Sequence, residues 1–589
     1  MRWAMRVQIT STWCRAKTTT PSSPPSAWEN STSPWFQGRT DVAKEPSMPK
    51  TIYKSLLLTV IILLLALLTG VLIVTRHAIA QNGSAPDAAL APTGLVASPY
   101  IGETTPTSVV VAWATDTSGA SEVRYSEDTS YSHTAAATSF ASDGKTWHSA
   151  TITGLTPDTT YHYRVYTGGV DLTPWSDVTF TTAPPDTATQ VTFAALGDGR
   201  PNSTSSNPNQ ATWDVAYQMT QHDFDFAVHS GDIVYGGGVC SGSDSGWNQY
   251  LRAYFDVYED SVKQTPFYPA IGNHELGSGS SACGYHAYTD VYHLPENAPS
   301  GDEERYYAFD WGNVHVISLN TEQNYNVGSA QYNWLENDLQ NTDRRWIVVA
   351  FHRPPYSSGP HGSNTDVQDQ LVPLFEQYGV DVVLNGHDHD YERTCPIKND
   401  ACTTIDDGGV VYFVTGGAGA PLYSQNDPNA WFTAKYSKSH HFMLLSVNDC
   451  QMNIQAIDDN GNVIDSYQID KCLGNFAPSD SISIAGGDDV QLSWQNVTQD
   501  SNGKAIDVVK YYVYRDTTPY LGENATLADT VNGPFGSTVT WTDADHIGDP
   551  ATNYFYYVRS VVMDGQKEVL SEPSNHTGEF DFALTPGTN

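Results

Sequence analysis

Five stretches of this chain end an apolar run on residues that bind metals or move protons. Val191 to Leu196 runs into Gly197, Asp198, Gly199 and Arg200, and Phe224 to Ser230 into Gly231, Asp232, Ile233, Val234 and Tyr235. Phe267 to Ile271 runs into Gly272, Asn273, His274 and Glu275, Trp346 to Phe351 into His352 and Arg353, and Val382 to Leu384 into Asn385, Gly386, His387, Asp388 and His389. Neutral imidazole is the commonest protein metal ligand. His387 and His389 lie at i and i+2, just after a glycine that lets the backbone turn sharply. One such pair is an ordinary loop feature; the repeated grammar gives it weight. Short apolar runs of this kind read as buried strands, and open α/β sheets build sites at the carboxyl ends of their strands. The pattern therefore predicts that Asp198, Asp232, Tyr235, Asn273, His352, His387 and His389 converge.

The ordered set Gly-Asp, Gly-Asp-x-x-Tyr, Gly-Asn-His-Glu, His and Gly-His-x-His-x-Tyr-Glu-Arg spans Asp198 to Arg393 and resembles the metallophosphoesterases, and the purple acid phosphatases within them. Flanking segments extend the likeness over most of residues 90–472. The resemblance implies a binuclear centre. Two cations a few Å apart hold a phosphate ester, generate a hydroxide nucleophile and stabilise the leaving oxygen. Carried over motif by motif, Asp198, Asp232, Tyr235 and His389 resemble the ligands of a trivalent iron. Asp232, Asn273, His352 and His387 resemble those of a divalent Fe, Zn or Mn, with Asp232 bridging. Tyr235 marks the subclass, because phenolate is a hard anionic donor suited to Fe(III). His274 resembles the histidine that contacts substrate phosphate. His361, nine residues after His352 in a Pro-rich loop, matches a histidine that faces the leaving group in plant-type relatives; it is expected to protonate the leaving alkoxide or orient phosphate. The family's first motif is usually Gly-Asp-x-Gly, and here its fourth residue is Arg200. A solvated surface side chain is the expectation for it, and a second cation near the phosphate the rival. His229 reads as a buried hydrogen-bonding residue, and Glu392 and Arg393 as braces of their loop.

With 589 residues the chain is long for one domain, and 34 Tyr and 15 Trp suit β-rich folds. The formal net charge is −37. Such a surface repels nucleic acid and anionic membranes, and phosphate esters too, so the positive charge at the site must come from metal ions. Residues 1–47, rich in Ser, Thr and Pro, are expected to be disordered or to precede the true start. Met48 opens a better signal: Lys50 and Lys54, an apolar run from Leu56 to Val74, then Ala78, Ile79 and Ala80. That describes a secretory signal peptide over 48–80, with cleavage after Ala80 and a linker at 81–89. The run at 55–74 is long enough to span a bilayer, so an uncleaved anchor is the rival. Beyond Cys14, the even set Cys240, Cys283, Cys395, Cys402, Cys450 and Cys472 suggests disulfides in an exported chain. Proximity favours Cys395–Cys402 and Cys450–Cys472, which leaves Cys240–Cys283; spacing alone does not fix the pairing.

The expected architecture is α+β: a metallophosphoesterase four-layer α/β/β/α sandwich at 190–472, flanked by two all-β fibronectin-III-like sandwiches at 90–184 and 478–582. In the first, Leu155, Pro157 and Tyr161 at a strand start resemble a tyrosine corner. Between them, 211–219, 331–339 and 367–378 carry helical apolar spacing, the last stopped by Gly379. Tyr306 to Leu319 reads as a hairpin turning at Gly312. The leading functional reading is a secreted or cell-surface acid phosphatase acting on small phosphate monoesters. A phosphodiesterase or nucleotide pyrophosphatase of the same superfamily is the alternative, because specificity lives in loops. A noncatalytic surface adhesion protein is a third. On any of these readings the C-terminal module is expected to be a spacer or wall-facing adaptor, with cell-surface or polymer contact through the fibronectin-like domains.

Overall fold

The apolar runs fold as strands because nearly every residue in them is buried on both faces, which is why they read as continuous rather than alternating. Gln190–Leu196 pairs in parallel with Phe226–His229, and that strand with Phe267–Pro269. The register sets Leu196 opposite His229 and His229 opposite Pro269, so the three carboxyl ends are level. His441–Asn448, Gln451–Asp458 and Val463–Asp470 continue this sheet to six strands. A second sheet of seven strands runs Tyr307–Trp311, Val314–Ser318, Trp346–Ala350, Val382–Asn385, Val411–Thr415, Tyr391–Thr394, Thr433–Ser437. Its four central strands are parallel, with Ala350 opposite Leu384.

The described residues run from 94 to 578, apart from 175–176, 277–280, 479–482, 487–489, 518–524, 545–553 and 565–566 and the side chains of 281–284, 483–486, 564 and 567, in a computed structural model. The chain divides into Met1–Ala88 and Ala89–Asn589, and the described residues all fall in the second. The expectations for residues 1–47, 48–80 and 81–89, for the apolar run at 55–74 and for the side chains of Cys14 and Cys283 lie outside the described residues.

Strand periodicity explains the layering. Trp346, Val348 and Ala350 face one core together with Phe193, Phe226 and Met443 of the first sheet. Ile347, Val349 and Phe351 face a second core with Leu335, Leu339, Val367 and Phe375 of the helical layer. The helix Gln210–Met219 covers the first sheet through Val215, Ala216 and Met219. Helices on the outer faces of two apposed sheets give the expected α/β/β/α order. One helix departs from the sequence reading. The stretch 367–378 is two helices, Thr365–Gln370 and Val372–Tyr378, because Pro373 lies in the first turn of the second. Gly379 caps it in the left-handed conformation, as expected. The hairpin forms as Tyr307–Trp311 and Val314–Ser318 around Gly312.

Before this core, two sheets enclose Val111, Trp113, Val123, Ile152, Tyr163 and Phe180. Tyr161 closes the tyrosine corner, its hydroxyl accepting the Thr156 N–H at 3.0 Å. After it, Val490–Gln495, Lys510–Asp516, Phe555–Asp564 and their neighbours enclose Leu492, Trp494, Tyr511 and Val558. The disulfides Cys395–Cys402 and Cys450–Cys472 form as favoured, and Cys240 is disulfide-bonded.

Candidate metal centre

The level strand ends bring six of the seven predicted residues into direct contact. The first sheet supplies Asp198, Asp232 and Asn273. Asp198 and Asp232 are buried and sit at φ 60° and φ 59°, a left-handed conformation uncommon outside glycine. Close packing over-determines it: a Cβ on Gly386 would overlap the Asp198 carboxylate, and one on Gly272 the Asp232 carboxylate. The Asp232 Oδ1 accepts the His274 N–H at 2.9 Å and lies 3.4 Å from His352 Nε2. The Asp198 Oδ2 accepts the His387 N–H at 2.9 Å, and its Oδ1 lies 3.5 Å from His389 Nε2. Behind both loops sits buried Glu275, whose carboxylate accepts N–H groups from Asp232 (2.8 Å), Ile233 (2.7 Å), Val234 (3.2 Å) and Gly272 (2.7 Å). It staples two of the motifs together.

The second sheet supplies three imidazoles. His352 donates from Nδ1 to the Ser230 carbonyl at 2.9 Å, which leaves Nε2 facing Asn273 Oδ1 at 3.1 Å. His389 donates from Nδ1 to the Pro421 carbonyl at 2.8 Å, so its Nε2 is also left inward. A carbonyl thus fixes the tautomer in each, as metal-ligating histidines require. His387, at φ 72°, differs: Arg353 Nη1 lies 3.2 Å from its Nε2, so Nδ1 is the nitrogen left for a cation. Tyr235 joins through its ring, 4.8 Å from that of His274.

Three of these residues fit a metal ion. Ligand atoms of Asp198, Asp232 and His352, all buried, lie within 4.8 Å of one another. The Asp198 Oδ1 is buried with no hydrogen-bond donor, an arrangement that is costly unless a positive charge meets it. Electrostatics agree. Burial alone would depress His352, but Asp232 and Asp198 outweigh it and push the imidazole up to about 10. Burial alone would raise Asp232, but His352 and His274 hold it well below the ordinary carboxylate range.

His274 donates from Nδ1 to the Tyr235 carbonyl at 2.7 Å and presents Nε2 3.9 Å from Asp232 Oδ2. His361 is exposed, and its ring stacks on His387 with centroids 4.2 Å apart. Asp388, between the two ligand-type histidines, positions that loop by accepting the His361 N–H at 3.0 Å and the Ser357 hydroxyl at 2.6 Å.

Arg200 is not the solvated surface residue expected. Its side chain is 11% exposed, with Nε 3.7 Å from Asp232 Oδ2, because its own N–H is tied to the Asp232 carbonyl at 3.1 Å. Sequence reading also missed Arg353 with its carboxylate Glu322 (2.6 and 3.1 Å), and Tyr423, stacked on His389 at 4.1 Å. Arg353 directly follows a predicted ligand, which is a usable signal; Tyr423 lies in an irregular loop and carries none. His229 is buried, with Nδ1 accepting the Gly231 N–H at 3.2 Å. Glu392 and Arg393 brace their loop through Ser358 and Asp465.

Comparison with known proteins gives a consistent set of matches. Residues 207–391 match the family described as calcineurin-like phosphoesterase, and residues 98–183 the purple acid phosphatase N-terminal domain. The chain is 29% identical over 296 residues to purple acid phosphatase 23 of Arabidopsis thaliana, covering 46% of this chain and 62% of that protein. It thus spans about three fifths of that relative's length. It is 30% identical over 369 residues to an uncharacterized protein of Mycobacterium tuberculosis, covering 54% of this chain and 68% of that one. Among solved structures, purple acid phosphatase PPD1 from yellow lupin seeds shares the fold, with a TM-score of 0.54 at 22% identity over 63% of this chain and 74% of that one.

Proposed function

The chain belongs to the purple acid phosphatase type of metallophosphoesterases, a family whose centre is binuclear, and from that premise we propose that it is an exported, metal-dependent acid phosphatase acting on small phosphate monoesters. The observation that carries this reading is the buried meeting of Asp198, Asp232 and His352, with an Asp198 oxygen that no donor satisfies. In this reading Asp198, Asp232, Tyr235 and His389 hold Fe(III), and Asp232, Asn273, His352 and His387 hold a divalent Fe, Zn or Mn. When bound, the two cations offset the charge of the ester and make a water acidic enough to attack at low pH. The chain's own groups do the rest. His274 presents Nε2 to the phosphate beside Asp232, and His361, on the open rim above His387, faces the departing alcohol. Disulfides at Cys395–Cys402 and Cys450–Cys472 support an oxidising, extracellular setting. Among the described residues no helix is long and apolar enough to cross a membrane.

The test is direct. Purified protein is expected to carry about two transition-metal ions per chain, to show a phenolate-to-iron absorption band in the visible, and to turn over p-nitrophenyl phosphate faster than bis(p-nitrophenyl) phosphate below pH 6. Protein free of transition metal and inert to both esters would end the enzymatic reading; preference for the diester would replace monoesterase by phosphodiesterase.

A further inference from the structure

Two guanidinium groups flank the candidate centre, and they are not equivalent. Arg353 is neutralised by its own carboxylate, Glu322, through two contacts. Arg200 has no such partner. The one carboxylate within 4 Å of it among the described residues is Asp232, which the metal-ligand set already uses. Its Nη1 reaches only the adjacent Pro201 carbonyl, at 3.3 Å, and its buried Nε has no hydrogen-bond acceptor. The guanidinium lies over the Tyr235 ring at 5.2 Å, and its charge is felt at His274 and Tyr423. The loop that carries it is held, with Asn209 Nδ2 donating to the Arg200 carbonyl at 3.4 Å and to Gly419 at 2.9 Å.

A guanidinium 89% withdrawn from water is costly unless an anion completes its hydrogen bonds. Its planar fork matches two oxygens of a phosphate, and its charge does not depend on pH. The rest of this acidic molecule repels phosphate, so a fixed cation at the reacting centre has a clear use. We propose that Arg200 is a substrate-binding residue that holds non-bridging phosphate oxygens on the Asp232–Tyr235 side and so favours dianionic monoesters over monoanionic diesters. The inference deepens the phosphatase reading and rests on it.

The experiment compares metal-loaded wild type, Arg200→Gln and Arg200→Lys. Inorganic phosphate binding is measured by calorimetry, together with metal content and kcat/KM for p-nitrophenyl phosphate and bis(p-nitrophenyl) phosphate. Loss of a charged hydrogen-bond pair predicts phosphate affinity about 10- to 100-fold weaker in Arg200→Gln. Arg200→Lys should recover part of the loss, metal content should be unchanged, and the monoester-to-diester ratio should fall about tenfold. Phosphate affinity within twofold of wild type in Arg200→Gln, with an active wild type, overturns the role of Arg200 and leaves the phosphatase reading standing. Affinity and metal lost together likewise overturn it, assigning Arg200 to the metal site instead. A wild type that holds no metal and no phosphate overturns both.

Discussion

The two sheets contribute opposite halves of the site and stabilise them by opposite means. The first sheet gives carboxylates and an amide, and the backbone donates to them: the His274 N–H to Asp232, the His387 N–H to Asp198, and four N–H groups to Glu275. The second gives imidazoles, and the backbone accepts from them: the Ser230 carbonyl from His352 and the Pro421 carbonyl from His389. Donors fix where negative charge sits; acceptors fix which nitrogen faces inward. The carboxylate half is therefore where charge is stored, and its loss should be the more damaging.

The largest effect is expected from Asp232→Ala, which removes the only residue assigned to both cations. Turnover should fall by about 1,000-fold or more, with loss of bound metal. Metal content at wild-type level in this variant would remove Asp232 from the bridging position. Next comes Glu275→Gln, which touches no substrate. An amide presents an NH₂ to N–H groups that need an acceptor, so part of the staple turns repulsive. About a 100-fold loss of kcat/KM and roughly 2–3 kcal/mol of stability are expected. The comparison sharpens against Glu322→Gln in the imidazole half, where the charge of a partly buried ion pair with Arg353 is lost, its side chains 12% and 31% exposed; a loss of about tenfold is expected there. Equal losses in the two variants would abolish the distinction between the halves.

A smaller effect is expected at the rim. His361→Ala removes a ring that stacks on His387 but lies outside both halves. Turnover of alkyl phosphates, whose leaving groups need a proton, should drop about 10- to 100-fold, and that of activated aryl phosphates much less. Equal loss on both ester types would leave His361 an orienting residue without a proton to give.

Legibility in the sequence followed the same division. Ligand-type residues at the ends of buried strands were visible because strand, glycine and donor are adjacent in the chain, and level register then brings them together. Arg200 reads as a surface residue because nothing local says that its own N–H is tied to the Asp232 loop, 32 residues on by number. Glu275 stood in a quoted motif, yet its task is to accept N–H groups from a different strand end, which spacing does not encode. The break at Leu371 is hidden because apolar periodicity continues across Pro373, where the helical hydrogen bonds do not. Tyr423 reaches His389 from an irregular loop, where no periodicity constrains side-chain direction.

A pH profile can test the two halves only if the stability of the fold is separated from the chemistry, and His315 allows that. Its ring lies 2.7 Å from both Asp310 and Asp338, on a strand of the second sheet that carries none of the assigned ligands. Burial alone would depress it, but the two carboxylates outweigh this and push it up to about 9. The folded value exceeds the ordinary histidine value of about 6.5. The stabilisation is therefore complete below about pH 6.5 and is lost as pH rises through 9. Because Asp310 is 37% exposed, solvent screening reduces the effect to roughly 1–2 kcal/mol. Denaturant unfolding of wild type should show that decline between pH 6 and pH 9, and His315→Gln should make it shallower, leaving the share of Glu304, which burial raises to about 8. If activity also falls over this range, the decline in His315→Gln assigns the chemistry: an unchanged activity profile places it at the metal site, while a profile that flattens with the stability curve places it in the fold. A wild type equally stable at pH 6 and pH 9 would show that His315 and its two carboxylates contribute nothing, and the alkaline limb of any activity profile would then belong to the site alone.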